Sequence, residues 1–520
     1  MMAALEKKRL ELQEALDQAK SPLERNKLGQ FATPNALASD ILAYAKSLLP
    51  SATGLRFLDP AFGTGAFYSA LLACFPASAL KEAVGYEIDP HYGLRALELW
   101  RDTPLKLKLG DFTKALPPAN ESNKPNLVVC NPPYVRHHHL AGEDKPRLKA
   151  LGFKSAGVEL SGLAGLYCYF LCLSHAWMAK DALAIWLIPS EFMDVNYGQA
   201  VKEYLLNRVT LTRLHRFDPK DVQFDDALVS SAVVCFRNSP PPPVHAVDFT
   251  YGGSLKDPHL SKSVTAQTLR RSKKWTGLAF EPDHFAPNSE ARLSDFFTIK
   301  RGIATGSNSF FILRKEKASQ LGIPRQFLKP ILPSPRNLPA TIVQADESGN
   351  PLVDRELFLL DCDLPEDQVK ARHPALWRYL EEGISQGVDR GYICAHRSPW
   401  YSQEKRQPPA ILCTYMGRKG KTTDAFRSIL NHSNAIAANV YLMLYPKPSL
   451  ARLIQKQPKL RETIWAILRR IPIEALTGVG RVYGGGLHKL EPKELADAPV
   501  DDILEILPRM DRKRKQLALF

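Results

Sequence analysis

The tetrapeptide Asn131-Pro132-Pro133-Tyr134 carries groups that could act on a planar amine. It follows the apolar run 126–130, which is typical of a short buried strand. Two prolines cannot continue a central strand, so the chain must leave the sheet there. The Asn131 and Pro132 carbonyl oxygens can each accept an amine proton, and the Tyr134 ring offers a flat face for stacking. A proline-rich turn can also follow a strand without any such role, so the tetrapeptide alone leaves both interpretations open.

A glycine loop upstream is typical of a turn that a ligand approaches closely. A predicted strand at 55–59 ends in an acid, and a predicted helix starts near residue 68. Glycines between a strand and a helix let a ligand reach the backbone. The residues of this turn that we assign to a ligand site are Asp59, Pro60, Ala61, Gly63 and Gly65.

Two further predicted strands end in residues suited to a nucleoside. In the run 83–89 a strand ends in Glu87, which Ile88 follows, and an acid some twenty-odd residues beyond a glycine loop can bind the two hydroxyls of a ribose. Asp111 and Phe112 follow the strand 105–109, where they could accept from an adenine amine and stack on its ring. Each acid alone is more often a helix cap or turn residue. Four successive strand ends with ligand-type residues favour a binding site.

This order of motifs resembles the N6-adenine DNA methyltransferases of restriction-modification systems, specifically the gamma-group type II enzymes with an Asn-Pro-Pro-Tyr motif. The run 28–34 is similar to the N-terminal cofactor motif of that family, which adds Thr33 and Pro34 to the cofactor site. Phe62 departs from the family pattern, where a small residue or Cys is common. The run 222–236 resembles the segment whose Phe, here Phe224, packs against the flipped base.

The resemblance implies an α/β fold, namely a Rossmann-like class I S-adenosylmethionine-dependent methyltransferase domain followed by a mixed α/β target-recognition domain. It further implies methyl transfer from S-adenosylmethionine to N6 of an adenine flipped out of double-stranded DNA, with no metal required. Asn131, Pro132, Pro133 and Tyr134 would be catalytic, and Asn131 would also border the cofactor. Tyr134 and Phe224 would hold the flipped base between flat side chains.

Length and charge predict two domains with different tasks. The chain has 520 residues and a net charge of +15. Residues 1–240 contain 27 Lys and Arg against 25 Asp and Glu, whereas residues 241–520 contain 42 against 29. We place the boundary at the proline run 240–243, so that 1–240 would be catalytic and the basic half 241–520 would recognise DNA.

Cation-bearing glycine loops in the second half predict contacts to DNA. The run 297–308 resembles the opening of the family's target-recognition domain, and the runs 396–401, 415–421 and 480–489 mix cations with flat or small residues. Such loops suit phosphate and base contacts. The cations that we assign to substrate binding are Lys300, Arg301, Arg418 and Lys419.

Other features predict a cytoplasmic monomer without a metal. The eight cysteines lack paired Cys-x-x-Cys spacing, and no Cys follows a Pro as in cytosine-C5 methyltransferases. The run His137-His138-His139 lies in a predicted loop, 135–163, where adjacent histidines do not converge on one ion. There is neither a signal peptide nor an apolar run of membrane-spanning length. We expect any cognate restriction endonuclease to be encoded separately rather than to form a stable subunit.

Several alternatives remain open on sequence grounds. Asn-Pro-Pro-Tyr also occurs in methyltransferases that modify a glutamine of translation release factors, but those are shorter and lack a basic second half. An RNA base methyltransferase is a closer alternative, since charge does not separate RNA from DNA. A catalytically inactive methyltransferase fold that only binds DNA is another, although intact Asn131–Tyr134 and Gly63–Gly65 argue against it. Only 27 residues precede the first cofactor motif, so we expect no nuclease ahead of it.

Overall fold

A computed structural model describes most of the chain, in two compact units. It covers residues 2–50, 54–140, 142–218, 230–279, 289–418, 426–471, 476, 481–483 and 487–507. The first unit comprises Met1–Glu281 and Tyr483–Gly485, and the second comprises Pro282–Val482 and Gly486–Phe520.

The first unit is built on a nine-stranded sheet. Its strands are β1 (Leu55–Asp59), β2 (Leu80–Glu87), β3 (Leu105–Leu109), β4 (Leu127–Cys130), β5 (Leu183–Pro189), β6 (Thr210–Arg216), β7 (Ser231–Arg237), β8 (Ala246–Gly253) and β9 (Pro258–Thr265). The order across the sheet is β3-β2-β1-β4-β5-β7-β6-β8-β9, with β3 through β5 parallel and β7 antiparallel to both its neighbours. The strand order reverses between β1 and β4, and open α/β sheets bind ligands at such a point.

Helices cover both faces of this sheet. They are α1 (Met2–Gln18), α2 (Pro22–Leu28), α3 (Asn35–Leu48), α4 (Ala66–Cys74), α5 (Pro90–Trp100), α6 (Asp144–Ala156), α7 (Leu166–Leu173), α8 (Gln199–Asn207) and α9 (Ala266–Arg271). Because side chains alternate along a strand, Leu127 and Val129 of β4 enter one core while Val128 and Cys130 enter the other. The predicted Rossmann-like α/β domain is confirmed.

The sheet continues past the proline run at 240–243. Strand β8 pairs in parallel with β6, and β9 pairs antiparallel with β8, so both belong to the first sheet. The compact unit therefore ends at Glu281 in the structure, whereas the sequence places the boundary after residue 240. The prolines form a connection between two strands of one sheet rather than a linker between domains.

Part of the predicted loop 135–163 is helical. Helix α6 buries Leu148, Gly152 and Ala156, which are spaced four residues apart and form one apolar stripe. Gly157 ends the helix in the left-handed conformation, with φ of 67°. The charged residues between these positions hide the stripe in the sequence.

The second unit is a mixed α/β structure, as predicted. Its strands are β10 (Phe297–Arg301), β11 (Ile312–Arg314), β12 (Leu328–Ile331), β13 (Ile342–Val343), β14 (Leu357–Leu360), β15 (Ile411–Thr414), β16 (Met416–Arg418), β17 (Ser428–Asn431), β18 (Tyr441–Pro446), β19 (Arg481–Tyr483) and β20 (Leu487–Lys489). They form sheets of order β10-β18-β15-β17-β13, β11-β14-β12 and β16-β20-β19. The helices are α10 (Leu293–Phe296), α11 (Asn308–Phe311), α12 (Lys315–Gln320), α13 (Glu366–Arg372), α14 (Pro374–Ser385), α15 (Tyr392–Ala395), α16 (Pro448–Lys456), α17 (Leu460–Arg470), α18 (Pro492–Ala496) and α19 (Asp501–Ile506).

Candidate active site

Asn131 follows directly on β4, and its side chain is held by a segment about 100 residues earlier. The Nδ2 group donates to the Phe31 carbonyl oxygen and to Thr33 Oγ1, both at 3.1 Å. Because a backbone carbonyl can only accept, Nδ2 must be the atom that faces Phe31. The amide orientation is thereby fixed. Its Oδ1 is buried and has no hydrogen-bond partner among the described residues.

Gly29 brings the N-terminal segment into contact with the backbone of the tetrapeptide. It ends α2 with φ of 65°, and its carbonyl accepts a hydrogen bond from the Tyr134 amide at 3.1 Å. A Cβ at this position would lie 2.4 Å from the Tyr134 nitrogen and 2.8 Å from the Val135 nitrogen. Only glycine permits both this conformation and this approach.

The rest of the tetrapeptide is fixed by packing. Pro132 is buried, and Pro133 is half-buried and lines the cavity described next. The Tyr134 hydroxyl donates to the Leu187 carbonyl on β5 at 3.1 Å, and its ring lies 5.7 Å from that of Phe31. Tyr134 is half-buried and does not line the cavity.

A cavity of about 270 Å³ lies at the carboxyl ends of the strands beside Asn131. Eight of the residues predicted to bind a cofactor line it together: Pro60, Ala61, Gly63, Glu87, Ile88, Asp111, Phe112 and Asn131. Four others lie outside its lining, namely Thr33, Pro34, Asp59 and Gly65. The structure gives these four supporting positions: Pro34 caps α3, Thr33 binds Asn131, and the other two shape the glycine loop.

Glu87 connects the end of β2 to the glycine loop. Its Oε2 accepts from the Gly63 amide and its Oε1 from the Asp89 amide, each at 2.8 Å. Burial raises the pKa of Glu87, and the hydrogen bonds from Asp89 and Gly63 oppose that rise. Each carboxylate oxygen retains acceptor capacity beyond its one backbone bond, so Glu87 can still bind hydroxyl groups.

Asp59 lies beneath the loop and is almost fully buried. Its Oδ1 accepts from the Ala61 amide at 3.1 Å. Burial, reinforced by the nearby charge of Glu87, raises the pKa of Asp59 to about 8. Asp59 is therefore largely protonated at neutral pH and acts on the loop through hydrogen bonding rather than charge.

The unusual Phe62 is accommodated by two glycines. A Cβ at Gly65, whose φ is 91°, would lie 2.7 Å from the Phe62 ring, and a Cβ at Gly85 would lie 2.5 Å from it. The loop thus makes room for a buried ring where the family commonly has a smaller residue, and Gly65 serves this packing.

The predicted adenine-binding pair lies at the end of β3. Asp111 Oδ1 accepts from the amide and the hydroxyl of Thr113, both at 2.8 Å. The Phe112 ring is buried within 5.1–5.5 Å of the Tyr86, Phe170 and Trp177 rings. Ile88 also lines the cavity, and its side chain is 64% exposed although it is apolar. A flat apolar ligand would cover such a side chain.

Two helices contribute cavity residues that the sequence analysis did not identify. Gln13 and Asp17 of α1 line the cavity, and so do Asp144 and Arg147 of α6. Arg147 donates to the Thr113 carbonyl at 3.0 Å and to Asp144 at 2.9 Å. The signal in α1 was the spacing of Arg9, Gln13 and Asp17, which puts three polar residues on one helix face.

Three predicted substrate-binding cations lie exposed in the second unit. Lys300 and Arg301 end β10, and Arg418 ends β16. The Arg301 guanidinium lies 4.1 Å from the centre of the Tyr415 ring, and its Nε donates to the Asn439 carbonyl at 2.9 Å. Phe224 and Lys419 lie outside the described residues.

Three further features concern the cysteines, possible metal ligands and the length of the helices. All eight cysteines are free, and all but Cys74 are buried. Across the described ranges, no group of three or more His, Cys, Asp or Glu is placed to hold a metal ion, and this includes His137–His139. Within the same ranges, none of the helices has the length and apolar character needed to cross a bilayer.

Two family models match consecutive parts of the chain. Residues 95–223 match the one described as Eco57I restriction-modification methylase, and residues 272–518 match the one described as the C-terminal domain of the type II methyltransferase M.Eco57I. The second match coincides largely with the second compact unit.

Two curated relatives align over most of the chain. The type II methyltransferase M.XamI of Xanthomonas campestris pv. amaranthicola is 28% identical over 90% of this chain and 84% of its own length. The type II methyltransferase M.AccI of Acinetobacter calcoaceticus is 27% identical over 91% of this chain and 85% of its own length.

Two similar solved structures are larger proteins than this chain. The type IIG restriction endonuclease BpuSI aligns with a TM-score of 0.43 and 14% identity, over 93% of this chain and 60% of that chain. The type IIL restriction-modification enzyme MmeI, solved in complex with DNA, aligns with a TM-score of 0.47 and 13% identity, over 86% and 63%. The chain thus spans about three-fifths of the length of these two structures.

The two family models follow the same order along the chain as the first and second units, and the curated alignments cover both. Along most of its length the chain is therefore similar to Eco57I restriction-modification methylases and to type II methyltransferases.

Proposed function

We propose that this protein transfers a methyl group from S-adenosylmethionine to N6 of an adenine flipped out of double-stranded DNA. The observation that carries the proposal is Asn131 Oδ1, a buried acceptor without a hydrogen-bond partner among the described residues. An unpaired buried acceptor is costly unless a donor arrives. An amino group on a flipped base supplies that donor, and the base sits beside the cavity that Asn131 lines.

Asn131 and Pro132 prepare the amine for reaction. The N6 lone pair of adenine is delocalised into the ring and is a weak nucleophile. Asn131 Oδ1 accepts one N6 proton and the Pro132 carbonyl accepts the other, which favours a pyramidal nitrogen and offsets the positive charge that develops. Phe31 and Thr33 hold Asn131 in this orientation, so no reorganisation is needed as charge forms.

The cavity suits S-adenosylmethionine, which carries a methyl group activated by its sulfonium. We assign Glu87 to the two ribose hydroxyls, since its carboxylate is fixed by two backbone amides and retains acceptor capacity. Asp111 accepts from the adenine amine, while Ile88 and Phe112 enclose the adenine ring. Pro60, Ala61 and Gly63 let the remainder of the molecule approach the backbone.

Tyr134 and Phe224 hold the flipped base in this proposal. The hydrogen bond from the Tyr134 hydroxyl to Leu187 anchors the end of the side chain, and its flat ring suits stacking against a base. Replacing Tyr134 by Ala is expected to slow methylation and to reduce the fluorescence rise of a 2-aminopurine placed at the target position. Unchanged fluorescence in Tyr134→Ala would remove Tyr134 from this role.

The test of the chemistry compares Asn131→Ala with the matched control Asn123→Ala, which changes an exposed Asn outside the cavity. Asn131→Ala should lower the single-turnover rate of DNA methylation by about 10²–10³-fold, the usual cost of one such positioned group. Calorimetry should show that S-adenosylmethionine binding is largely kept. A near wild-type rate in Asn131→Ala, or a methylated base other than adenine in sequenced DNA, would refute the proposal.

We propose further that the second half selects the DNA sequence and the first performs the chemistry. The charge difference between the halves supports this division, and Lys300, Arg301, Arg418 and Lys419 are the proposed DNA contacts. The test is methylome sequencing of cells that express a chimera with the second half of another methyltransferase. Retention of the original recognition sequence by the chimera would contradict this assignment.

The proposed working state is a cytoplasmic monomer, with any cognate endonuclease encoded separately. Light scattering of the purified protein with and without duplex DNA tests the monomer, and a stable dimer in both samples would contradict it.

A further inference from the structure

Two separate segments of the second unit pack together into one surface. The first is the loop Gly302–Asn308, which follows β10, and the second is Arg390–Trp400, which contains α15. Arg397 joins them, because its guanidinium donates to the Thr305 carbonyl at 3.0 Å and to the Ala304 carbonyl at 2.7 Å. The sequence predicted DNA contacts for the runs 297–308 and 396–401, which overlap these segments, without indicating that the two meet.

A second contact, between Cys394 and Thr305, brings the two segments close together. Cys394 is fully buried, and its Sγ lies 3.8 Å from the Thr305 carbonyl. A Cβ on Gly306, whose φ is 91°, would lie 2.7 Å from that sulfur. Glycine at 306 therefore allows the loop to turn directly over α15.

The outer side of this junction exposes an aromatic pair and a cation. Tyr392 is 81% exposed, and its ring centre lies 4.5 Å from that of His396 at an interplanar angle of 40°. His396 is also tied to the Tyr392 carbonyl through Nδ1 at 2.6 Å. Arg390 beside them is exposed, whereas Oδ1 of the neighbouring Asp389 is buried. The segment Arg390–Trp400 contains two arginines and no Asp or Glu, so its own charge is positive.

The loop adds small hydrogen-bonding side chains to the same junction. The Thr305 hydroxyl donates to Asn308 Oδ1 at 2.7 Å, which orients the exposed Asn308 amide. Lys300 and Arg301 come immediately before the loop and are exposed. An oriented amide, an exposed aromatic pair and several cations are the groups that proteins use on nucleic acid bases and phosphates.

We propose that these two segments form one recognition surface for duplex DNA, on which the Tyr392–His396 pair stacks against a base or inserts at a base step. This inference rests on the proposed function and names part of its DNA-binding surface. The charge favours a nucleic acid, since the half of the chain from residue 241 carries 13 more cations than anions, and the proposed function makes duplex DNA the occupant. A large aromatic ring held almost fully in water is stabilised when a base covers it.

Arg397 is a positioning residue in this surface. Its guanidinium is engaged with the Ala304 and Thr305 carbonyls and with Gln403 Oε1 at 3.1 Å. It therefore holds the loop against α15 and does not contact phosphate. Arg390 has the exposed position expected of a phosphate contact.

The first experiment measures binding of the full-length protein to a fluorescent duplex that contains the recognition sequence read from the methylome of expressing cells. Tyr392→Ala should bind about tenfold more weakly, the size of one base–aromatic stack. The control is Leu352→Ala, which removes an apolar side chain of the same unit that is 61% exposed, and it should bind as wild type does. Both variants change exposed residues, so both should keep the wild-type Tm.

The second experiment separates positioning from phosphate contact. Arg390→Gln should lower the slope of log affinity against log salt by about 0.9, the value for one phosphate contact. Arg397→Gln should weaken binding and leave the slope unchanged, and Arg397→Lys should restore part of the affinity. A changed slope in Arg397→Gln would overturn the positioning role.

The outcomes distinguish this inference from the proposed function. If the wild-type protein methylates duplex DNA and Tyr392→Ala binds the duplex as tightly as Leu352→Ala does, the proposed recognition surface is wrong and the proposed function stands. If the wild-type protein binds single-stranded RNA in preference to the duplex, or methylates no DNA, both are wrong. A Tyr392→Ala defect confined to the duplex with the recognition sequence supports base contact.

Discussion

Replacing Gly29 by Ala tests whether the N-terminal segment holds the tetrapeptide Asn131–Tyr134, which we propose to be catalytic, in place. Gly29 has φ of 65°, and its carbonyl accepts the Tyr134 amide. Two residues further on, the Phe31 carbonyl accepts from Asn131 Nδ2 at 3.1 Å. A new Cβ would push against the backbone of Tyr134 and Val135, which cannot rotate away as a side chain can.

The size of the effect follows from these distances. An alanine in the left-handed region costs roughly 1–2 kcal/mol. The Cβ would lie 2.4 Å from the Tyr134 nitrogen, and ordinary contacts begin at 3.4 Å, so the two segments must separate by about 1 Å. A displacement of that size at a reacting group costs about 10²-fold in rate. We therefore expect Gly29→Ala to lose at least 10²-fold in methylation rate in addition to stability.

Gly322→Ala is a closely matched control. Gly322 also has φ of 65°, but the nearest atom to its Cβ would be the Ala375 Cβ at an ordinary 3.6 Å. This variant carries the backbone cost of roughly 1–2 kcal/mol without the clash. Urea denaturation and single-turnover methylation with labelled S-adenosylmethionine would be measured for both variants. Equal rates in Gly29→Ala and Gly322→Ala would refute the positioning argument.

Two further predictions concern the cofactor side of the cavity. Glu87→Ala should weaken S-adenosylmethionine binding by roughly 1.5–3 kcal/mol, because two hydroxyls lose a charged acceptor; unchanged affinity by calorimetry would exclude Glu87 from the site. Burial raises the pKa of Asp59 from 3.8 to about 8, so the folded state prefers the protonated form and wild-type stability falls as the pH rises through that range. In wild type the free energy of unfolding should fall by a few kcal/mol over this range, at about 1.36 kcal/mol for each pKa unit. Asp59→Asn should not show this fall when urea denaturation is measured at a pH below the range and at a pH above it. An identical pH dependence in the two proteins would contradict the raised pKa.

The sequence predicted the strand ends of the first unit well because two local signals agree there. Apolar runs mark the buried strands, and a turn residue or proline marks the end of each. The strand predicted at 55–59 is β1 residue for residue, and the strand predicted at 126–130 differs from β4 by one residue. Side chains at the ends of parallel strands share one edge, so several predicted residues meet at the cavity.

The same signals could not reveal contacts between distant segments. Nothing in the local pattern of Phe31 or Thr33 indicates a bond to an Asn about 100 residues later. The sequence did not predict that β8 and β9 extend the sheet, because a proline run is typical of a linker and the domain boundary was placed there. Arg397 is an example in the second unit. The run 396–401 that contains it was predicted to contact DNA, whereas its guanidinium donates to two backbone carbonyls and to Gln403 Oε1 in the structure.

The residues before β1 hold both sides of the cavity although they contribute no strand. On the cofactor side, Thr64 of the glycine loop accepts a hydrogen bond from Arg9 at 3.1 Å and donates one to Gln13 at 2.6 Å. On the acceptor side, Thr33 and its neighbours hold Asn131. Arg9 is 1% exposed and pairs with Glu6 of the same helix at 2.7 Å, so its bond to Thr64 comes from a guanidinium that is already held in place. The core strands β1, β4 and β5 are buried by helices on both faces, so the sheet has its own stabilisation. Damage to the N-terminal segment should therefore impair the proposed site before it unfolds the sheet. The segment 28–34 thus supports the tetrapeptide Asn131–Tyr134 in addition to the cofactor role that we propose for it.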